Sequence, residues 1–150
     1  MSYLLDTCII SKLRKIKKKP DPNLTNWIAK HHETSFFLSV LTIGEIQSGI
    51  NKLNLKKKDE KQKRLILENW FFEEFIPRFN DRILPIDNEV AFTWGKLFGE
   101  SQQRGICIPV VDSLIAATAI VHNLTIVTEN INDFLETGAR LFNPWLENTP

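Results

Sequence analysis

The chain has 150 residues, of which 43% are hydrophobic and 25% are charged, and its formal net charge is +1. This is the balance of an ordinary soluble globular protein, and the length is enough for one domain with a real core. No apolar run approaches the ~20 residues of a membrane span, and the start MSYLLDT lacks the basic and apolar regions of a signal peptide. We therefore expect a single cytoplasmic domain over residues 1–150.

Predicted strands and helices alternate along the chain. In chain order they are a strand over 3–5, helices over 7–16 and from Asp21 to about His32, a strand over 36–40, helices over 41–53 and from Lys56 to about Phe75, a strand over 82–86, helices from Asp87 to Gly105 and from Pro109, a strand over 124–127, and an edge strand over 139–142. This alternation predicts an α/β fold in three α/β/α layers, with a mostly parallel sheet of four to five strands.

Local signals support several of these boundaries. Asp21 and Pro22 suit the N-cap and the first position of a helix. Asp87 can cap another helix, and Pro77 is expected to end the helix before it. A parallel sheet binds its ligands beyond the carboxyl ends of its strands, so polar residues at those ends are candidate site residues.

Acidic and amide residues fall at these strand ends. Asp6 follows the first strand, Glu45 lies early in the helix after the second, and Asp112 lies in the first turn of the helix from Pro109; the fourth strand is followed by Asn130 and Asp133. Converging carboxylates repel one another, and a hard cation removes that cost. Oxygen-only ligands suit Mg²⁺ or Mn²⁺, which points to phosphoryl chemistry.

Each residue taken alone also has a structural interpretation. Asp112 could favour a helix N-terminus, Asp133 could cap a turn, and Glu45 could be a surface residue. Asp6 is the hardest to explain in this way, because an acid that ends a buried strand is costly without a task. The prediction of a metal site therefore depends on the whole set.

Two further groups of residues have open interpretations. Basic residues form two blocks, the first basic block between Lys12 and Lys19 and the second basic block between Lys52 and Arg64. Each block could be a phosphate-contacting surface or could consist of solvated helix ends and loops. Cys8 and Cys107 lack metal-ligand spacing and are expected to be free thiols.

Four ordered segments resemble PIN domains, and among these the VapC-type toxins. They are LLDTCIIS at 4–11, LSVLTIGEIQSGI at 38–50, PVVDSLIAATAIVHNLTIVTEN at 109–130, and the INDF that follows. The resemblance spans nearly the whole chain. It implies a metal-dependent endoribonuclease that hydrolyses RNA with metal-activated water, leaving 5′-phosphate and 3′-hydroxyl ends. It also implies a cognate antitoxin and a homodimer.

By the same resemblance, Asp6, Glu45 and Asp112 form the metal site. Asp6 and Asp112 would be the main ligands, and Glu45 would bind through water or accept a proton. Many members carry a fourth acid where this chain has Asn130, and a basic residue where it has Glu129. Asn130 could then coordinate through its carbonyl oxygen or hold a water, while Asp133 adds charge nearby.

Two other parts of the chain gain an interpretation from the resemblance. The hydroxyls of Thr7 and Thr128 could orient Asp6 or a metal-bound water, or could bond only to the backbone at strand ends. The aromatic stretch Trp70-Phe71-Phe72, with Phe75 and Ile76, could form a groove for an antitoxin helix or could be core.

Other α/β enzymes fit less well. A haloacid-dehalogenase phosphatase needs an acid where this chain has Cys8, and a receiver domain needs a lysine near Thr128. A serine hydrolase is unsupported, because no nucleophile-elbow motif is present. The main alternative is a catalytically silent PIN fold that binds RNA or protein, against which the joint retention of Asp6, Glu45 and Asp112 argues.

Overall fold

The computed structural model describes residues 1–15 and 21–146. Its five strands form one sheet in the order β3-β2-β1-β4-β5, and every neighbouring pair is parallel. The strands are β1 (Tyr3–Leu5), β2 (Phe36–Ser39), β3 (Ile83–Leu84), β4 (Thr125–Val127) and β5 (Arg140–Phe142). The chain leaves β1 first toward β2 and later toward β4. The carboxyl ends of β1 and β4 therefore lie where the strand order reverses, which is the usual place for a ligand in such sheets.

Within the described residues, seven α-helical segments accompany the strands. They are α1 (Thr7–Lys15), α2 (Pro22–Ala29), α3 (Val40–Asn51), α4 (Lys58–Asn69), α5 (Ile76–Phe79), α6 (Asn88–Gln103) and α7 (Val110–Val121). Side chains cap three of them: Asp21 accepts from the Asn23 amide, and Ser39 and Asp87 serve α3 and α6 in the same way. Residues 16–20, which include the end of the first predicted helix and part of the first group of basic residues, lie outside the described residues.

Helices cover both faces of the sheet, as the alternation predicted. Tyr3 and Leu5 of β1 point into one apolar cluster, which also contains Ile9 and Leu24 from α1 and α2. Leu4 points to the other face, into a cluster with the small and branched residues of α7 and with Phe134. Because successive strand residues face opposite sides, a run of three apolar residues serves two cores. This buries β1 completely and places Asp6 at its end.

The prediction that Pro77 ends a helix is wrong. The helix that begins at Lys58 continues through a π-helical stretch over Trp70–Phe75 into α5, which ends at Phe79. The Ile76 amide donates to the Phe71 carbonyl across the wider π turn. Pro77 therefore lies directly after the π-helical stretch, within α5, and the helix continues past it to Phe79.

Two other predicted elements are shorter in the structure. β3 pairs with β2 only through Ile83 and Leu84, because Pro85 has no N–H to extend the ladder. The helix predicted to reach about His32 ends at Ala29, where tight turn bonds replace the α-helical ones. Among the helices of the described residues, none has the length and apolar character that a membrane span requires.

The aromatic stretch divides between core and surface. Phe71 and Phe75 are buried in the first cluster, as the core interpretation predicted. Trp70 is half-buried, and Phe72 remains 51% exposed. Core packing therefore accounts for two of these rings and leaves the other two partly open to solvent.

Candidate active site

Four acidic side chains lie near one another at the carboxyl edge of the sheet. Asp6 follows β1 and is only 7% exposed, and Asp112 is half-buried in the first turn of α7. Burial raises the pKa of Asp112 to about 6, and the charges of Asp6, Asp133 and Glu45 act in the same direction. The mutual repulsion expected of converging carboxylates is therefore a property of this site.

Hydrogen bonds fix both oxygens of Asp6. The Thr7 amide donates to Oδ1 at 2.9 Å, and the Thr128 hydroxyl donates to Oδ2 at 2.8 Å. The Thr128 hydroxyl in turn accepts from the Asn130 amide at 3.0 Å. Of the two interpretations of Thr128, the orientation of Asp6 is the one that the geometry supports. Donors on both oxygens restrict the Asp6 carboxylate to one orientation.

Glu45 is exposed at the mouth of the site and is held by one contact. The Thr7 hydroxyl donates to its Oε1 at 2.8 Å. Thr7 thus serves two carboxylates, Asp6 through its amide and Glu45 through its hydroxyl. The position of Glu45 on α3 brings it to this edge of the sheet, and the bond from Thr7 restricts the orientation of the Glu45 carboxylate.

Asn130 and Asp133 lie on the loop after β4. Both are exposed, and the Asp133 amide donates to the Asn130 carbonyl at 3.1 Å within a tight helical turn. The charge of Asp133 acts on Asp112, so Asp133 belongs to the electrostatic surroundings of the site. For Asn130, the contact that the structure gives is through its backbone.

Cys8 is a site contact that the sequence analysis did not identify. Its thiol donates to Asp6 Oδ2 at 3.5 Å. Burial raises the pKa of Cys8 to about 11, and the charge of Asp6 adds to this, so the thiol keeps its proton. Cys8 and Cys107 are both free, as expected. The sequence feature that could have identified Cys8 as a site residue is its position two residues after Asp6, at the start of α1.

The ligand chemistry of the cluster fits a hard divalent cation. Asp6, Glu45, Asp112 and Asp133 offer carboxylate oxygens only. Within residues 1–15 and 21–146, no three His, Cys, Asp or Glu side chains are close enough to share one ion as they are oriented. Mg²⁺ is commonly held by one or two carboxylates with water in the other positions, so two ligands from this cluster suffice.

Comparison with known protein families gives a match over most of the chain. The model of the PIN domain family matches residues 3–139. This range contains every acidic residue of the cluster.

Two curated relatives align along nearly the whole chain. Toxin FitB of Neisseria gonorrhoeae is 32% identical over 143 residues, which are 95% of this chain and 97% of the relative. Ribonuclease VapC2 of Rickettsia felis is 33% identical over 145 residues, or 97% of this chain and 98% of the relative.

Solved structures have the same fold. FitAcB from Neisseria gonorrhoeae superimposes with a TM-score of 0.82 at 29% identity, covering 96% of this chain and 99% of that one. VapBC2 from Rickettsia felis, solved bound to a DNA fragment from its promoter, gives a TM-score of 0.68 at 32% identity, with 95% and 98% covered. These structures confirm the predicted three-layer α/β class.

Proposed function

Because this chain belongs to the PIN-domain family, we propose that it is a metal-dependent endoribonuclease and the toxin of a toxin–antitoxin pair. The observation that carries the proposal is the carboxylate cluster around a fixed Asp6. The names of the relatives, a toxin and a ribonuclease, support the activity. The chain would act as a single PIN domain in the cytoplasm.

Asp6 and Asp112 would hold the metal, Mg²⁺ or Mn²⁺. Asp6 already has one orientation, and the raised pKa of Asp112 reflects, beside burial, a repulsion that a cation would remove. A bound divalent cation would polarise the scissile phosphate and lower the pKa of a water.

The remaining residues have proposed roles that follow from their positions. Glu45 is exposed and held by Thr7, so it can reach the metal through water or accept a proton from the attacking water. Asn130 and Asp133 border the site on the loop after β4; Asp133 adds negative charge, and Asn130 could offer its carbonyl oxygen. Thr7 and Thr128 hold the two carboxylates in place.

The second basic block is the proposed RNA-binding surface. It begins at the end of α3, the helix that carries Glu45, and its lysines are exposed. Replacing Lys57 and Lys61 by Gln should weaken RNA binding at every sequence. It should also reduce the slope of log affinity against log salt by about 0.7 for each RNA phosphate that is no longer neutralised. Fluorescence anisotropy with RNA in EDTA measures this, with Lys96→Gln on α6 as the control; an unchanged slope would exclude these lysines from RNA binding.

A cognate antitoxin is the proposed protein partner. Beside the half-exposed part of the aromatic stretch lies a cavity of about 530 Å³, lined by Trp70, Phe75, Ile28 and Ala29 among others. Its apolar walls between α2 and the π-helical stretch suit the apolar face of a helix. The related FitAcB and VapBC2 structures support such a partner.

A homodimer is also proposed, with α6 and α7 as its candidate surface. Phe92 of α6 is 81% exposed and Val110 of α7 is 51% exposed, which leaves large apolar groups in water. Light scattering of the antitoxin-free chain would give the mass of a monomer if this proposal is wrong.

The experiment that tests the activity uses purified, antitoxin-free protein and a mixed cellular RNA pool. We expect cleavage with Mg²⁺ or Mn²⁺, loss of cleavage in EDTA, and recovery when Mg²⁺ is returned. A folded preparation that cuts no RNA with either metal would favour the alternative, a silent PIN fold that binds RNA or protein.

A further inference from the structure

The residues after β5 pack against the loop that follows β4. The Thr128 amide donates to the Phe142 carbonyl at 3.0 Å. The Asn143 side chain, 7% exposed, donates to the Glu129 carbonyl at 3.5 Å and accepts from the Trp145 amide at 2.9 Å. Asn143 therefore links Trp145 to the backbone of the active-site loop.

Lys12 contacts a side chain from each of these two segments, the residues after β5 and the loop after β4. Its ammonium group lies 3.1 Å from Glu129 Oε2 and 4.7 Å from the centre of the Trp145 ring. The Trp145 indole donates to Asp21 Oδ2 at 2.6 Å. This hydrogen bond lowers the pKa of Asp21, and the charge of Lys12 lowers it too. Lys12 therefore lies between two carboxylates and an indole ring.

These contacts continue directly into the active centre. Glu129 stands between Thr128, which donates to Asp6, and Asn130, whose amide donates to Thr128. Fixing Glu129 by its carbonyl and its carboxylate restricts the backbone that presents the Thr128 hydroxyl. A short chain of bonded residues thus runs from Trp145 to Asp6.

We propose that Lys12, Asn143 and Trp145 are positioning residues for the active centre. Together with Glu129 they form what we call the C-terminal brace, which holds Thr128 on Asp6. Asn143 and Trp145 lie beyond residue 139, where the match to the family model ends. Within the brace Lys12 pairs with Glu129, so we expect the Lys12 ammonium group to bind this carboxylate rather than an RNA phosphate. This inference rests on the proposed function for its effect on cleavage, but its effect on structure is independent of that function.

The test compares conservative variants of the brace. Lys12→Met keeps the aliphatic stem and loses the charge, whereas Lys12→Arg keeps the charge. Asn143→Leu keeps nearly the volume of the side chain and loses its bonds to the Glu129 carbonyl and the Trp145 amide. Arg104→Met is the control, because Arg104 also pairs with a glutamate, Glu136 at 3.8 Å, but outside the brace. Thermal unfolding confirms that each variant folds.

Three kinds of measurement are made on the full chain. They are Mn²⁺ affinity without RNA by electron paramagnetic resonance, hydrogen exchange of the Thr128 and Asn130 amides, and kcat and KM for RNA. Residues that orient metal ligands change metal affinity by ~10-fold or more when removed. We expect Lys12→Met and Asn143→Leu to bind Mn²⁺ about two- to fivefold more weakly, a smaller loss than for a group bonded directly to a metal ligand. Both amides should exchange faster, and kcat should fall while KM stays within about twofold. Lys12→Arg and Arg104→Met should resemble the wild type.

Different results overturn different statements. Unchanged Mn²⁺ affinity and unchanged amide exchange in both brace variants would overturn the brace, even if the wild type cleaves RNA. A higher KM for Lys12→Met with normal Mn²⁺ affinity would also overturn it, because Lys12 would then contact phosphate. Brace-dependent Mn²⁺ binding in a chain that cleaves no RNA would support the brace and refute the proposed ribonuclease.

Discussion

Replacing Asp6 by Asn should reduce RNA cleavage by about a thousandfold. Metal ions contribute several kcal/mol of charge stabilisation in the transition state, and ~4 kcal/mol corresponds to that factor. Asn has nearly the shape of Asp, so the donors from Thr7 and Thr128 remain beside it, but the negative charge is absent. The variant is therefore expected to fold, and the rate of cleavage of one defined RNA at saturating Mg²⁺ measures the effect.

Asp81→Asn is the matched control for this substitution. Asp81 is exposed and precedes β3, at the opposite edge of the sheet from the site. The Asp81→Asn variant should cleave RNA at the wild-type rate, which would show that removing one surface carboxylate does not by itself reduce the rate of cleavage. An Asp6→Asn variant that keeps more than about a tenth of the wild-type rate would mean that Asp6 is not a metal ligand.

Replacing Asp112 by Asn should have two opposite effects: cleavage falls by about a thousandfold, and the metal-free protein becomes more stable. The pKa of Asp112 is about 6 in the folded chain against an ordinary value of 3.8. Between these two pKa values the folded state binds the proton more tightly than the unfolded state does, so the free energy of unfolding falls as the pH rises. The full destabilisation by the ionised Asp112 carboxylate is present above about pH 6. Because the carboxylate is half exposed and screened, we expect a gain of only about 1 kcal/mol near neutral pH.

Denaturant unfolding in EDTA checks the sign of this effect. The difference between Asp112→Asn and the wild type should be largest near neutral pH and should vanish below about pH 3, where Asp112 is protonated in both the folded and the unfolded state. Excess Mg²⁺ should then reverse the order, because a ligand that binds only the folded state stabilises the wild type. If Asp112→Asn is less stable than the wild type in EDTA at neutral pH, the carboxylates do not repel one another in the way described.

The convergence of the acidic residues at one edge of the sheet could be predicted from the sequence, because a single topological rule determines it. Asp6 ends a buried strand, Glu45 and Asp112 lie in the first turns of helices, and the carboxyl ends of parallel strands share an edge. The caps at Asp21 and Asp87 were predictable for a similar reason, since their signals lie within a few residues.

Contacts between distant segments could not be predicted in this way. The bond from Thr128 to Asp6 spans 122 residues, and the one from Trp145 to Asp21 spans 124. No local pattern encodes such pairs, so the brace required the structure, and the structure decided between the two interpretations of Thr128. Pro77 shows the same limit within one helix, because the π turn before it depends on how the aromatic rings pack.

The chemistry of the RNA ends tests the central claim most directly. A defined RNA is incubated with the antitoxin-free protein and Mg²⁺, and the fragments are identified by mass spectrometry. Water activated at a metal site should leave 5′-phosphate and 3′-hydroxyl ends, and no fragments should form in EDTA. Fragments with 2′,3′-cyclic phosphate and 5′-hydroxyl ends, or cleavage that persists in EDTA, would contradict a metal-dependent hydrolysis at the carboxylate cluster.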